Sequence, residues 1–285
     1  MQETDLLKII KFNSEYDNTD KELLLALPLK WERSKKYNLI ISPHFFGATY
    51  FENYYMGAAA MIEPFMGWRG VASKYDVMVA IPLGHGRVYD RASLAYEGQI
   101  QDLSKFPEML ESMNYKIKKV YAGGISMGGM ETLTLVGKFP KIFSAAFSYN
   151  GIADLSAWYE DVENGKTDKK MLDMGVLKLV SEETGTTPYK NKEEYLKRSA
   201  INYIKNLSEV PLMIYWSSME SIVVNQKTKQ SKMLADEIKS NYPDAEIFDY
   251  DHSFDHGFKE FNAEEKIRCH EFCDFDKAAQ WLLSY

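Results

Sequence analysis

The stretch Val120-Tyr121-Ala122-Gly123-Gly124-Ile125-Ser126-Met127-Gly128-Gly129-Met130 decides the fold. It reads as an apolar strand, then G-x-S-x-G, then a helix start. In that form the serine sits on a tight strand-to-helix turn with its hydroxyl exposed. The glycines fit because so sharp a turn leaves little room for side chains. The flanks agree with the motif. Lys119 to Ala122 read as a buried parallel strand, and Met130 to Val136 as a helix that Pro140 brings to an end. Taken alone the motif also suits a glycine-rich turn with an idle serine, so the rest of the chain must supply partners.

A serine nucleophile needs a base to take its proton and an acid to hold that base in the right tautomer. Downstream, Val210 to Trp216 is an apolar strand candidate that runs into Ser217-Ser218-Met219-Glu220. Glu220 therefore falls in the loop past a strand's carboxyl end, where such sheets place their chemistry. A helix-like stretch from Asn225 to Tyr242 leads to the strand candidate Ala245 to Tyr250. Asp251-His252-Ser253-Phe254-Asp255-His256-Gly257-Phe258 follows it. Serine, acid and histidine thus appear in the chain order of one known arrangement. His252 and His256 share one loop, and geometry must choose between them.

Outward from these motifs the pattern is one of alternation. Residues 20–31 and 37–42 read as the first strands, Val77 to Pro82 as a buried strand and Phe143 to Tyr149 as another. Gly98 to Met113 reads as a helix ahead of the serine strand. Apolar runs alternating with helical segments argue for a mostly parallel sheet covered on both faces. Between two of these strands, residues 154–192 are charged and interrupted by Trp158, Tyr159, Met171, Met174 and Leu177. They read as a small, mostly helical lid that excludes water and shapes the pocket, with a surface excursion bearing one apolar face as the alternative. No repeat or low-complexity segment interrupts the chain.

The segment from residue 20 to 285 resembles the α/β-hydrolase superfamily, in its esterase-like and prolyl-oligopeptidase-like branch. The matching pieces are Ser42-Pro43-His44-Phe45-Phe46-Gly47, Gly84-His85-Gly86-Arg87, the Ser126 turn, Tyr195-Leu196-Lys197-Arg198-Ser199, the Glu220 loop and His256-Gly257-Phe258. The resemblance implies a single α/β-hydrolase domain over 1–285 with the 154–192 insertion inside it. It also implies Ser126 as nucleophile, Glu220 as acid and His256 as base, since Gly-Phe usually follows the base in this branch. Two departures stand out: the acid is more often Asp, and His-Gly is usual where this chain has His44-Phe45. The oxyanion of such a reaction needs two donors. One is expected from the Met127 amide and the other from the loop after Leu39-Ile40-Ile41, with Phe46 ahead of Phe45. Phe45, Trp158 and Trp216 are expected to line an apolar pocket.

The implied activity is hydrolysis of a small carboxylic ester through an acyl-enzyme, without metal or organic cofactor. A peptidase or amidase of the same fold is the alternative, and a hydrolase-fold binding protein a third reading. No propeller-like domain is read ahead of the core, which favours esters over peptides here. Composition agrees. A net charge of −7 suggests no nucleic-acid surface. No apolar run is long enough to span a membrane. Met1 to Asp5 lack a basic-then-apolar leader, so a cytoplasmic location is expected. Cys269 and Cys273 are spaced i, i+4 around His270 and match no standard zinc pattern, so a reduced, buried pair is expected. Oligomeric state is not legible.

Overall fold

The computed structural model describes residues 6–46, 67–84, 86–88, 92–253 and 274–285. Eight strands form one sheet: β1 (Leu7–Asn13), β2 (Asp20–Ala26), β3 (Lys36–Ile41), β4 (Val77–Pro82), β5 (Lys116–Ile125), β6 (Ala145–Tyr149), β7 (Leu212–Trp216) and β8 (Ile247–Asp251). Their order is β1-β2-β4-β3-β5-β6-β7-β8. β2 pairs antiparallel with both β1 and β4, and every other pairing is parallel.

The helices among the described residues are α1 (Trp68–Tyr75), α2 (Glu97–Ser112), α3 (Met127–Lys138), α4 (Leu155–Glu163), α5 (Lys169–Asp173), α6 (Val176–Thr184), α7 (Lys192–Lys197), α8 (Ile204–Leu207), α9 (Ser231–Asn241) and α10 (Phe275–Leu282). Side chains alternate across the sheet with period two. Leu23, Leu25, Leu39, Ile41, Ala122, Ala146, Leu212 and Ile214 join one core with Ile100, Met130 and Leu234 from α2, α3 and α9. Leu24, Ala26, Ile40, Tyr121, Phe147, Met213 and Tyr215 join the other with Val71 of α1 and Leu282 of α10. β4, β6 and β7 are buried along their whole length. That explains why β4 and β7 read as unbroken apolar runs. This is the α/β-hydrolase arrangement, with helices on both faces.

Several boundaries differ from the sequence reading. β1 was not expected, and the first expected strand ends at Ala26 rather than residue 31, two residues ahead of Pro28. β5 is longer than Lys119–Ala122 and runs through two glycines. At Gly123 a Cβ would stand 2.1 Å from the Phe147 ring, so the strand is glycine there because its neighbour fills the space. The helix expected from Asn225 begins at Ser231. α1 and α10 were not read. No described helix is long and apolar enough to cross a membrane.

Candidate active site

Ser126 follows β5 directly and has φ 55°, ψ −119°, a conformation that costs a side-chain-bearing residue about 1–3 kcal/mol. Two hydrogen bonds hold it there. Its N–H donates to Tyr149 O at 2.8 Å, and its C=O accepts from Met130 N at 3.0 Å in the first turn of α3. Glycine makes the close approach possible. A Cβ on Gly124 would meet Gly128 backbone atoms at 2.6 Å, and one on Gly128 would meet Pro43 O at 2.2 Å. The start of α3 is thus seated against the loop after β3. Ser126 is half-buried while Met127 is buried. The Met127 amide is one of the donors at a helix N-terminus that has no partner within the helix. The helix dipole adds positive character at that end.

The loop after β3 carries Pro43 to Phe46. His44 is fully buried, and its Nδ1 donates to Phe45 O at 2.9 Å. Burial holds its pKa below the usual 6.5 and keeps the ring neutral. Its Nε2 is buried and has no hydrogen-bond partner among the described residues. Because the peptide is trans and planar, a Phe45 carbonyl turned toward His44 turns the Phe46 N–H the opposite way. Phe45 packs toward the core on one face of the sheet and Phe46 toward the core on the other.

Glu220 lies four residues past β7 and is 7% exposed. Its Oε1 accepts from Ile222 N at 2.8 Å and Val223 N at 3.3 Å, and its Oε2 from Asn150 Nδ2 at 2.7 Å. His252 directly follows β8, and its N–H donates to Trp216 O at 3.0 Å. Its Nε2 lies 3.0 Å from Asn150 Oδ1. Asp251 ties the two loops together. It accepts from Ser218 N at 3.3 Å, Ser218 Oγ at 2.8 Å and Ser253 N at 2.9 Å. Burial would raise its pKa, but these donors outweigh it and the net shift is downward.

Of the expected pocket residues, Trp158 is 4% exposed and donates its indole N–H to Ile222 O at 2.9 Å, which fastens α4 to the Glu220 loop. Asp168 N donates to Ser221 O at 2.8 Å from the same insertion. Trp216 is also buried, and its indole donates to Asp249 Oδ1 at 3.2 Å. Residues 154–192 hold α4, α5 and α6, so the segment without a strand is helical. His256, the expected base, lies outside the described residues. So do His85, His270, Cys269, Cys273, Tyr50, Phe51, Tyr54 and Tyr55. No cluster of His, Cys, Asp or Glu fit for a metal ion occurs among the described residues.

Sequence reasoning missed Asn150 and Asp251. Asn150 had a local signal, since Asn-Gly after a buried strand marks a turn at the carboxyl edge. It also missed the polar network around Glu131 of α3. That side chain is fully buried and accepts from Ser93 Oγ, Gln99 Nε2 at 2.6 Å and Ala95 N at 3.4 Å. Beside it, Arg198 donates to Ser93 O at 3.2 Å and Glu183 O at 3.3 Å. Glu183 in turn accepts from Arg87 N at 2.7 Å and Val88 N at 2.8 Å, so the loop after β4 is clamped to α6.

Among solved structures, the chain is similar to an acylaminoacyl peptidase from Pyrococcus horikoshii, with a TM-score of 0.65 and 19% identity over 95% of this chain. It spans only 41% of that peptidase's length. It is also similar to an S-formylglutathione hydrolase from Agrobacterium tumefaciens, with a TM-score of 0.65 and 14% identity, covering 97% of this chain and 94% of that one. A ferulic acid esterase matches with a TM-score of 0.61 and 12% identity, covering 97% of each chain. At these identities the likeness establishes the fold. No curated protein matches. The family model described as the prolyl oligopeptidase family matches residues 89–280, which include Ser126, Asn150, Glu220 and both candidate base histidines. With two thirds of its length inside that match, the chain belongs to the prolyl oligopeptidase family of serine hydrolases.

Proposed function

We propose that this chain hydrolyses small carboxylic esters through an acyl-enzyme on Ser126. The observation that carries the reading is the strained, half-buried Ser126 at the start of α3, with the anchored Glu220 carboxylate past the carboxyl end of a strand two places along the sheet. A serine held at φ 55° for no purpose would cost stability without return.

In this reaction His256 takes the proton from Ser126 Oγ as the oxygen attacks the ester carbonyl carbon. The amides of Met127 and Phe46 donate to the oxyanion that forms. Glu220 orients the imidazole and stabilises its charged form. The C–O bond to the alcohol breaks, and the alcohol leaves with the proton from the imidazolium. Water then attacks the acyl group by the same route and frees Ser126. Residues 154–192 act as the lid, fastened to the acid loop through Trp158 and Asp168. The ester reading draws support from the two hydrolases matched over nearly the full length of both chains, one of them a ferulic acid esterase. Peptide cleavage is the second reading, favoured by the family match and the acylaminoacyl peptidase.

The test is fluorophosphonate labelling followed by turnover of p-nitrophenyl esters of graded chain length beside aminoacyl anilides. The parent is expected to label and to prefer esters. Ser126→Ala should lose labelling and several orders of magnitude in kcat, and His256→Ala about as much, because triad members act as a unit. Glu220→Gln should be severe but milder, and His252→Ala milder still. Anilide kcat/KM above that of every ester transfers the assignment to peptides. A dead His252→Ala beside an active His256→Ala reassigns the base.

A further inference from the structure

Asn150 stands one residue past β6 with its side chain 1% exposed and a left-handed φ of 44°. Asparagine tolerates that region better than most residues. Its backbone is fixed by donation from its N–H to Tyr215 O at 2.9 Å. The side-chain amide reaches two other loops at once, with Nδ2 2.7 Å from Glu220 Oε2 and Oδ1 3.0 Å from His252 Nε2. The directions of these bonds follow from chemistry. A carboxylate only accepts, so the NH2 faces Glu220 and the carbonyl oxygen faces the imidazole. His252 must then carry its proton on Nε2. The chain of donation runs one way, from His252 to Asn150 to Glu220.

We infer that Asn150 is a positioning residue for the proposed triad: its amide, oriented by His252, fixes Oε2 of the Glu220 carboxylate. The inference rests on the ester-hydrolase reading for the meaning of that position. It assigns His252 the outer end of the bridge, with Nε2 engaged by Asn150. Three strand ends set the bridge. Asn150 follows β6, His252 follows β8, and Ser218 and Ser253 on Asp251 hold the Glu220 loop against the His252 loop. Among the described residues, the titratable groups meeting the amide are Glu220 and His252. Tyr149 lies edge-on with its ring centroid 6.0 Å from that of His252, and Asp251 adjoins His252 in the chain. A neutral amide is the fitting link. It satisfies the carboxylate oxygen without adding a charge that competes with the imidazolium.

The test uses Asn150→Gly, which suits the backbone angle and deletes the amide, and Asn150→Asp, which sets two carboxyl groups side by side. Such a pair holds a proton that an isolated carboxylate would have lost. A protonated aspartic acid presents one O–H and one carbonyl oxygen, as the amide presents N–H and carbonyl oxygen. Asn150→Gly should lower kcat on p-nitrophenyl acetate by roughly 10–100-fold at every pH, with KM within about twofold. Asn150→Asp should recover relative to the parent as pH falls. A purely structural role predicts equal losses for both variants at each pH, and that result overturns the inference, as does an unchanged kcat in Asn150→Gly. Should Asn150→Gly fail to fold, the pH ratio of Asn150→Asp decides. Independently of turnover, NMR of 15N-histidine-labelled protein should show the neutral His252 as the Nε2–H tautomer in the parent. A His252 protonated on Nδ1 with Nε2 bare sinks the bridge even in an active enzyme. A parent that neither labels nor turns over esters removes the hydrolase reading instead, and the NMR measurement then decides the bridge alone.

Discussion

Gly128→Ala offers the sharpest probe of how the serine turn is built. In a helix interior glycine to alanine ordinarily stabilises by about 0.5–1 kcal/mol. Here the added Cβ would stand 2.2 Å from Pro43 O and 3.0 Å from both Pro43 C and His44 O. All three are backbone atoms, so no rotamer relieves the clash. A carbon–oxygen contact needs about 1 Å more. The loop has little freedom to supply it. Ser42 N is bonded to Ala80 O at 2.8 Å, the Ser42 hydroxyl accepts the Trp68 indole at 3.0 Å, and His44 is fully buried. The overpacking cost of about 1–3 kcal/mol offsets the helix gain and leaves a net loss of up to roughly 2 kcal/mol. That corresponds to a fall in Tm of about 4–8 °C. The displacement separates the Met127 and Phe46 amides, the two proposed oxyanion donors. A 1 Å misplacement there should cost about 100-fold in kcat. Gly70→Ala is the control, because its Cβ would meet nothing within 4 Å in α1. Calorimetry and p-nitrophenyl acetate kinetics on the parent and both variants separate stability from catalysis. A Gly128→Ala enzyme with parental kcat would refute the reasoning, since the loop would then have moved without disturbing the donors.

Burial of Glu131 raises its pKa to about 8 from 4.5, so the folded state holds a proton that the unfolded chain releases. At 1.36 kcal/mol per unit, the fold should lose about 5 kcal/mol as pH rises from 4.5 to about 8. Glu131→Gln should flatten that loss and exceed the parent's stability above pH 8. Rotation of the Gln99 amide accommodates the change, since Gln99 Oε1 has no partner among the described residues. Parallel pH-dependent urea titrations that leave the variant as pH-sensitive as the parent would reject the buried neutral acid. Trp158→Phe keeps the ring in the core but removes the indole bond to Ile222 O. If residues 154–192 form the lid, it should alter the octanoate-to-acetate ratio of kcat/KM several-fold, because each buried methylene contributes about 0.8 kcal/mol. Equal changes on both esters would sink the lid.

The strands of the sheet centre were legible because both of their faces are covered, which leaves runs such as Val77 to Pro82 without a polar residue. β1 was not, because Lys8 and Lys11 break the run in a strand that lies at the sheet edge with both lysines exposed. α10 carries a legible pattern in Phe275, Ala278, Ala279 and Leu282, spaced for one helix face and all buried, yet its charged flanks drew no reading. At the site, Ser126 and Glu220 were visible because each follows an apolar strand. Asn150 also follows a buried strand and its Asn-Gly marks a turn, but its role was not legible, since its partners stand 70 and 102 residues away and no spacing encodes their meeting. The Glu131 network was hidden for the same reason. A glutamate five residues after the nucleophile looks like an exposed helix residue until α2 and the turn at residues 93–95 are folded over it.

The way the site is held follows from how far each group lies from its strand. Ile125 pairs with Tyr149, Tyr149 with Tyr215, and Trp216 with Asp251, so the last residues of the parallel strands share a register. The ladder runs one step further. The N–H of Ser126 donates to Tyr149 O, that of Asn150 to Tyr215 O, and that of His252 to Trp216 O, at 2.8, 2.9 and 3.0 Å. Three side chains are thereby placed by the sheet itself, on strands about 4.8 Å apart. Ser126 and Asn150 also turn at once into positive φ, which carries the chain away and leaves the carboxyl edge open. Glu220 has no such support, because it lies four residues beyond β7. Its anchors are two local backbone donors from Ile222 and Val223, the distant Asn150 amide, and a loop clamped by Asp251. A slip of one residue in the register of β6 would reverse its side chains and remove Asn150 from Glu220 together with the Ser126 contact. Whereas backbone bonds fix the Ser126 turn, the acid is therefore held through the Asn150 side chain and the Asp251 clamp as well. Substitutions that leave Ser126 untouched, at Asn150 or Asp251, should reach the chemistry through it.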